Sequence, residues 1–276
     1  MKQNKAKDKA KAKVLFLDID NTILFSGNHA KVDGDTCVEY KLGKEQGYML
    51  EELADTIYDI EAVSHKDVYI VPLTTRSVEQ YFRTRLADDC RYGITTCGGE
   101  LFKLRKPNLK WLREQKEKMY GISNYLFDAF DFLNRNCGDE ASFCRIVDGY
   151  YVFLRSTDKD KLKKLEVELR LGNEQEQIET EIDIINTGTK LTVIPSFLNK
   201  GSAVDKFIKE FKEMEGYEEV ETWGFGDSVF DVPMLNKVEH VMCSKELLKD
   251  ISKDKDIIGA YDGRFDREIL KVLKTI

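Results

Sequence analysis

The chain has 276 residues, enough to bury a sizeable core and more than the commonest single domain, so one large domain or a domain with an insert is expected. Its composition, 42% apolar and 34% charged, is typical of a soluble globular protein, and no apolar run approaches the ~20 residues of a membrane-spanning helix. The N-terminus lacks the apolar core of a secretory signal, and the six cysteines show no metal-binding spacing, so we expect a cytoplasmic protein with reduced thiols.

The net charge of −7 conceals a basic N-terminal segment. Residues 1–13 contain six lysines against Asp8 alone, a side-chain balance of +5, which leaves −12 for the remaining residues. Because the segment has no arginine or aromatic residue that would stack on a base, we interpret it as a disordered, solvated, lysine-rich tail. The acidic remainder argues against nucleic-acid binding. The composition indicates neither a membrane partner nor a particular oligomeric state.

Strand-like and helix-like patterns alternate after this tail. The apolar run Val14–Leu17 indicates a strand buried on both faces, and Val68–Leu73 indicates a second one. Further strands are predicted at Tyr92–Cys97, Val220–Phe225 and Val238–Cys243, and helices at about Val78–Leu86, Val204–Phe211 and Phe265–Ile276. This alternation predicts the α/β class, with a Rossmann-like doubly wound parallel sheet and helices on both faces.

Residues 106–195 interrupt the alternation. A long helical pattern at about Leu109–Asn134 precedes two strand-like runs joined by Asp148-Gly149, and a lysine-rich helical stretch precedes two more joined by Thr187-Gly188. Helix, hairpin, helix, hairpin is the order of a separate α+β module with an antiparallel sheet. We therefore predict an inserted α+β cap, or lid, at 106–195, flanked by core segments 14–105 and 196–276.

Several chemically reactive groups stand at predicted strand ends or helix starts. They are Asp18 with Asp20, Thr74, Lys200, and Asp227 with Asp231. Because open α/β sheets bind ligands at the carboxyl ends of their strands, we expect these groups to converge on one edge of the sheet. Neighbouring carboxylates repel, and a divalent cation would compensate them. A lysine at an electropositive helix start would be stabilised by a bound anion. Each motif alone is equally compatible with an ordinary turn, strand end or helix cap.

Taken in order, these motifs resemble those of the haloacid dehalogenase superfamily of phosphohydrolases. Asp18-Ile-Asp-Asn-Thr22 is similar to the family's first motif, D-x-D-x-T/V, and Thr74 to the second, a Thr or Ser that ends a strand. Lys200 resembles the third motif, and Gly226-Asp-Ser-Val-Phe-Asp231 the fourth. The insert between the second and third motifs is similar to the large α+β cap of the branch that includes sucrose-phosphate phosphatases and other sugar-phosphate phosphatases.

The resemblance implies a Mg²⁺-dependent phosphatase that acts on a small phosphorylated metabolite, with a sugar phosphate as the expected class. It implies that Asp18 attacks phosphorus to form an aspartyl-phosphate, and that Asp20 protonates the leaving oxygen and later activates water. Thr74 and Lys200 would contact the phosphoryl oxygens.

The resemblance also implies the metal ligands. Mg²⁺ would be held by Asp18, the backbone carbonyl of Asp20 and Asp227, with Asp231 nearby or bound through water. The predicted substrate contacts are Thr75 and Arg76, beside the second motif, and Arg145 and Arg155, on the predicted cap strands.

Three features depart from the family's pattern. Phe230 stands where this branch commonly has Asn, although the Asp227–Asp231 spacing of the expected metal site is kept. Thr75 replaces the glycine of the usual Thr-Gly-Arg. The separation of the first two motifs is long, and the added part, about Phe25–Met49, is compatible with either a flap hairpin near the nucleophile or a decorated loop.

Two alternatives to a phosphatase stay open. A phosphomutase would use the same motifs but would need a cap that excludes water and lets a phosphorylated intermediate reorient. A non-catalytic binding protein would keep only the scaffold. The presence of Asp18, Asp20, Lys200 and Asp227 counts against the second alternative, because binding alone requires no nucleophile.

Overall fold

The computed structural model describes residues 11–26, 32–62, 67–138, 142–176 and 181–276. The chain forms two compact units. The first unit comprises Met1–Asn108 and Asn199–Ile276, and the second comprises Leu109–Leu198. Ten of the thirteen residues of the predicted tail, 1–10, lie outside the described residues.

Strands and helices alternate over much of the described chain. The strands are β1 (Ala12–Leu17), β2 (Phe25–Ser26), β3 (Asp35–Lys41), β4 (Lys44–Leu50), β5 (Val68–Pro72), β6 (Tyr92–Thr95), β7 (Glu100–Lys103), β8 (Lys106–Pro107), β9 (Phe143–Val147), β10 (Tyr151–Arg155), β11 (Ile182–Asn186), β12 (Lys190–Pro195), β13 (Val220–Gly226), β14 (His240–Ser244) and β15 (Asp256–Tyr261). The α-helices are α1 (Glu51–Ala62), α2 (Val78–Phe82), α3 (Leu86–Asp89), α4 (Leu109–Met119), α5 (Ser123–Cys137), α6 (Lys159–Glu176), α7 (Lys200–Glu215), α8 (Val232–Leu235) and α9 (Asp266–Thr275).

A five-stranded parallel sheet in the order β15-β14-β13-β1-β5 forms the centre of the first unit. The prediction of an α/β fold with a parallel sheet is confirmed. Four consecutive apolar residues of β1, from Val14 to Leu17, are fully buried because β1 is a central strand with both faces covered. β1 begins at Ala12, which is buried and pairs with Val220, so Ala12 and Lys13 belong to the sheet and the predicted tail boundary at residue 13 is corrected.

Two strands of the first unit differ from the prediction. β6 pairs with β7 in a separate antiparallel sheet and touches the parallel sheet through one bridge, Leu73–Ile94. The reason is a tight turn in which Thr96 and Cys97 have positive φ (49° and 58°), so that the chain returns alongside β6. β15 was not predicted, because its apolar stretch is short and is followed directly by Gly259.

The segment between the first two motifs folds into a small antiparallel sheet in the order β2-β4-β3, which we call the insert sheet. β3 and β4 form a hairpin, as one of the two interpretations proposed. The sheet is tied to the helices beyond the second motif, because Arg85 N donates to Val38 O and Tyr40 N donates to Arg83 O. Val38 also packs in the main hydrophobic core. The insert sheet is therefore an integral part of the first unit.

The second unit has a four-stranded antiparallel sheet in the order β11-β12-β10-β9. The two predicted hairpins are present, and Asp148 and Gly149 adopt the positive φ of a tight turn (48° and 78°). The single predicted helix at 109–134 is two helices, α4 and α5, separated by a turn that contains Gly121. Within the described ranges, no helix has both the length and the apolar character needed to cross a bilayer.

Candidate active site

The carboxyl ends of β1, β5 and β13 lie side by side. Leu17, the last residue of β1, pairs with Pro72 of β5 on one side and with Phe225 of β13 on the other. The residues that follow these strands include Asp18, Thr74 and Asp227, and the backbone N of Asp18 donates to Phe225 O at 2.9 Å. The parallel register thus brings three of the sequence motifs to one edge of the sheet.

Lys200 reaches this edge from the first residue of α7. Its side chain is 1% exposed, and its Nζ donates to Oδ1 of Asp18 and to Oδ1 of Asp231, each at 2.5 Å. Asn199 caps the helix by accepting a hydrogen bond from Ser202 N at 2.9 Å. Gly201 permits the approach of α7 to α8, because a Cβ there would lie 2.5 Å from Pro233 O. The Asn-Lys-Gly-Ser sequence therefore places one ammonium group between two carboxylates.

Asp231 is fully buried and fixes the loop that carries Asp227. Its Oδ2 accepts hydrogen bonds from the backbone N of Asp227 at 3.1 Å and of Ser228 at 2.9 Å, and from Ser228 Oγ at 2.9 Å. Its other oxygen accepts from Lys200. Gly226 leaves room for this arrangement, since a Cβ there would lie 2.5 Å from the Cβ of Asp231. Asp231 thus positions both Lys200 and the fourth motif.

Three carboxylates of the site are close enough to share one cation. One oxygen from each of Asp18, Asp227 and Asp231 lies within 4.8 Å of the others. Thr22 Oγ1 lies between two of them, 3.2 Å from Asp227 Oδ1 and 3.4 Å from Asp18 Oδ2. Lys200 supplies one positive charge against three carboxylates. Hard oxygen donors with an excess of negative charge fit a divalent cation such as Mg²⁺, so the residues present suit the metal that the motifs imply.

The pKa values of the cluster reflect this crowding of negative charge. Burial raises the pKa of Asp18 well above its usual range, and Asp231 raises it further, while Lys200 opposes the rise. Burial, followed by Asp231, raises the pKa of Asp227 to about 6. A bound cation would favour the ionised form of both groups and would lower these pKa values.

Mg²⁺ affinity is expected to fall as the pH decreases through about 6, because a proton on Asp227 competes with the metal. Titration calorimetry between pH 5 and 8 would measure this loss of affinity.

Without metal, the protein should become more stable as the pH falls. The pKa of Asp227 in the folded state, about 6, exceeds the ordinary 3.8, so the folded state binds the proton more tightly than the unfolded chain. This contribution to the free energy of unfolding therefore rises as the pH falls through 6.

The Asp227→Asn variant is the control for both measurements. In EDTA, the difference in unfolding free energy between wild type and variant should narrow as the pH falls from 7 to 5. A difference that stays constant over this range would contradict the raised pKa of Asp227.

Asp20 does not join the carboxylate cluster through its side chain. Its carboxylate accepts two hydrogen bonds from Arg76, from Nη2 at 2.7 Å and from Nε at 2.9 Å, and it is 43% exposed. Arg76 is buried and also forms an ion pair with Glu39 at 2.9 Å. Arg76, a predicted substrate contact, is thus engaged by two carboxylates.

The remaining predicted site residues lie at two places. Thr74 is fully buried just beyond the end of β5, where its hydroxyl oxygen accepts a hydrogen bond from Arg76 N at 3.1 Å, and Thr75 beside it is half-buried. Arg145 and Arg155 lie on β9 and β10 of the second unit. Arg145 is half-buried and Arg155 is exposed. Their contact with substrate stays a prediction.

Two residues of the site did not emerge from the sequence reasoning. Thr22 is part of the first motif, which predicts that it lies near the site. The motif does not predict that Thr22 contacts both Asp18 and Asp227. Glu39 had no local signal, because an acidic residue in a hairpin is ordinarily solvated. Its burial depends on contacts with residues more than 30 positions away.

A cavity of about 530 Å³ opens beside Asp227. It is lined by Asn21, Phe25, Asp227, Ser244, Lys245, Glu246, Tyr261, Asp262, Gly263 and Arg264. Its two cationic side chains are already paired, Lys245 with Asp262 at 2.5 Å and Arg264 with Asp35 at 2.6 Å. A cavity of this size, with polar groups and aromatic rings, suits a small polar molecule better than a strongly charged one.

No family model matches the sequence. No curated protein matches it with significance. Solved structures, however, match almost the whole chain.

The sucrose-phosphatase of Synechocystis is 15% identical, with a TM-score of 0.55 over 96% of this chain and 98% of that chain. The trehalose-6-phosphate phosphatase of Aspergillus fumigatus is 13% identical, with a TM-score of 0.55 over 96% of this chain and 92% of that chain. A haloacid dehalogenase-like hydrolase from Bacteroides thetaiotaomicron is 13% identical, with a TM-score of 0.54 over 96% and 99%. At these identities the likeness shows the fold. The haloacid dehalogenase-like fold that the motifs predicted is confirmed.

Proposed function

We propose that this chain is a Mg²⁺-dependent phosphatase that hydrolyses a small phosphorylated metabolite, with a sugar phosphate as the substrate class. The observation that carries the proposal is the cluster of Asp18, Asp227 and Asp231, of which Asp227 is half-buried and the other two are buried, with Lys200 Nζ at 2.5 Å from the buried two. Burying several charges in one place costs several kcal/mol per ion unless each is well compensated. Such arrangements are concentrated at functional sites.

Each residue has a role in the proposed reaction. Asp18 attacks phosphorus, so that an oxygen–phosphorus bond forms to Asp18 as the bond to the leaving oxygen breaks. Asp20 donates its proton to that oxygen and later accepts one from the water that hydrolyses the aspartyl-phosphate. Lys200 offsets charge on the phosphoryl oxygens, and Thr22 orients Asp18. Mg²⁺, when bound by Asp18 and Asp227 beside Asp231, supplies further positive charge for the same purpose.

Two observations support a sugar phosphate as the substrate class. The structural neighbours include a sucrose-phosphatase in complex with sucrose and phosphate, and a trehalose-6-phosphate phosphatase. The cavity of about 530 Å³ beside Asp227 has the size and polarity for the alcohol part of such a molecule. We retain the second unit as the proposed cap, with Arg145 and Arg155 as candidate contacts. A cytoplasmic location is part of the proposal and is supported by the six free cysteines.

A substrate screen tests this function. The purified protein is expected to release inorganic phosphate from one or more sugar phosphates in Mg²⁺, and EDTA should abolish the release. Nucleotides and p-nitrophenyl phosphate complete the panel. A phosphomutase would instead return an isomerised sugar phosphate without free phosphate. If no compound of the panel is converted with Mg²⁺, the proposal is contradicted.

A further inference from the structure

Glu39 is a buried carboxylate for which the proposed reaction has no role. It lies on β3 of the insert sheet and is 3% exposed. Its Oε2 pairs with Arg76 Nη1 at 2.9 Å, and its Oε1 with Arg83 Nη2 at 3.0 Å. The charge is therefore compensated from two sides, as a buried carboxylate requires.

The backbone of the insert sheet directs Glu39 inward. The pairing of β3 with β4 is irregular on both sides of Glu39, between Cys37 and Glu39 and between Glu39 and Tyr40. Irregularities of this kind redirect a side chain. Gly47 on the facing strand leaves the necessary room, because a Cβ there would lie 3.0 Å from Glu39 Oε2. The hairpin is thus built to place this carboxylate at Arg76.

Glu39 and Asp20 share the guanidinium of Arg76. The side chains of Arg83, Glu39, Arg76 and Asp20 form a row of alternating charge. The side chain of Asp20, at the end of the row, is 43% exposed, whereas the side chains of Arg76 and Glu39 are 8% and 4% exposed. Asp20 is therefore the most exposed member of the row.

The bidentate contact with Arg76 conflicts with the proposed role of Asp20. A carboxyl group that protonates the leaving oxygen must turn away from Arg76 and carry a proton. Leaving a buried guanidinium with no carboxylate to balance its charge would oppose this movement strongly. Glu39 removes the difficulty, since Arg76 stays paired with Glu39 when Asp20 leaves.

We propose that Glu39 is a positioning residue that acts through Arg76 and frees Asp20 to protonate the leaving group. The inference depends on the proposed function, in which Asp20 is the acid. In the step concerned, the proton of Asp20 moves to the leaving oxygen as the phosphorus–oxygen bond breaks and the bond to Asp18 forms. The carboxylate that results can return to Arg76.

The test compares two leaving groups in Glu39→Gln, a variant that keeps the shape and removes the charge. With enzyme in excess, quenched-flow measurement gives the rate of leaving-group release. An alkyl phosphate, such as a sugar phosphate, needs protonation of its leaving oxygen, whereas p-nitrophenolate departs without it. We expect release from the alkyl phosphate to fall about 10-fold or more, and release of p-nitrophenolate to change less than about threefold. Separate steady-state measurements should show little change in KM for either substrate.

Two further variants serve as controls. Glu79→Gln removes the other carboxylate that pairs with Arg83, at 3.3 Å and 80% exposed, and should leave both rates unchanged. Glu39→Asp keeps the charge and should restore most of the alkyl rate. Rates that stay unchanged in Glu39→Gln, or that fall equally for both substrates, would overturn the inference.

If Glu39→Gln does not fold, Arg83→Gln carries the test. Arg83 competes with Arg76 for Glu39, so without Arg83 the carboxylate of Glu39 pairs with Arg76 alone. Asp20 is then released from Arg76 more easily, and the ratio of the alkyl phosphate rate to the p-nitrophenyl phosphate rate should rise. A ratio that stays the same or falls would overturn the inference. A wild-type protein without phosphatase activity would instead contradict the proposed function itself.

Discussion

Replacement of Asp18 by Asn is expected to lower phosphate release by about 10⁴-fold or more, because an amide cannot attack phosphorus as a carboxylate does. The fold should be retained. Asn has nearly the same volume, and Lys200 keeps its second partner, Asp231, at 2.5 Å. Removing one of three crowded carboxylates also reduces repulsion, so the thermal unfolding temperature in EDTA should be equal to or higher than that of the wild type.

Loss of activity together with retained or increased stability separates a chemical role of Asp18 from a structural one. The matched control is Asp205→Asn on α7, where the carboxylate is 57% exposed and pairs with Lys237 at 2.6 Å. This control should keep wild-type turnover. Persistent metal-dependent turnover in the Asp18 variant would exclude Asp18 as the nucleophile.

The strands that carry the site could be predicted because their sequences are unambiguous. Val14–Leu17 and Val68–Leu73 are unbroken apolar runs followed by polar residues, which is the pattern of central parallel strands. The division of 109–134 into two helices could not be predicted, because the hydrophobic pattern continues across Gly121. β15 was missed since an edge strand needs few apolar residues and its pattern is correspondingly weak.

In the candidate site, the sequence predicts where the residues lie but not which groups their side chains contact. The order of the motifs predicts that Asp18, Lys200 and Asp227 meet at one sheet edge, and the structure places them there. Sequence patterns do not tell which group a flexible side chain contacts. The pairing of Asp20 with Arg76, and of Arg76 with Glu39, arises only when the insert sheet packs beside the second motif.

Lys200→Met is expected to destabilise the metal-free protein by about 3–5 kcal/mol, because it removes the ammonium group that compensates two buried carboxylates. Asp18, Asp227 and Asp231 would then face one another within 4.8 Å without a cation. Mg²⁺ should therefore raise the stability of the variant more than that of the wild type, as long as the variant binds the ion. Urea unfolding in EDTA and in Mg²⁺ would measure both effects.

The comparison that isolates the buried charge is Lys237→Met. Lys237 is 47% exposed and pairs with the exposed Asp205, so its loss should change the unfolding free energy by less than ~1 kcal/mol, with or without Mg²⁺. A Lys200 variant as stable as the wild type in EDTA would mean that the three carboxylates are already protonated without metal. In that case Lys200 would not be needed to balance the charge of the carboxylates. Its only role at the site would be to offset charge on the phosphoryl oxygens of the substrate.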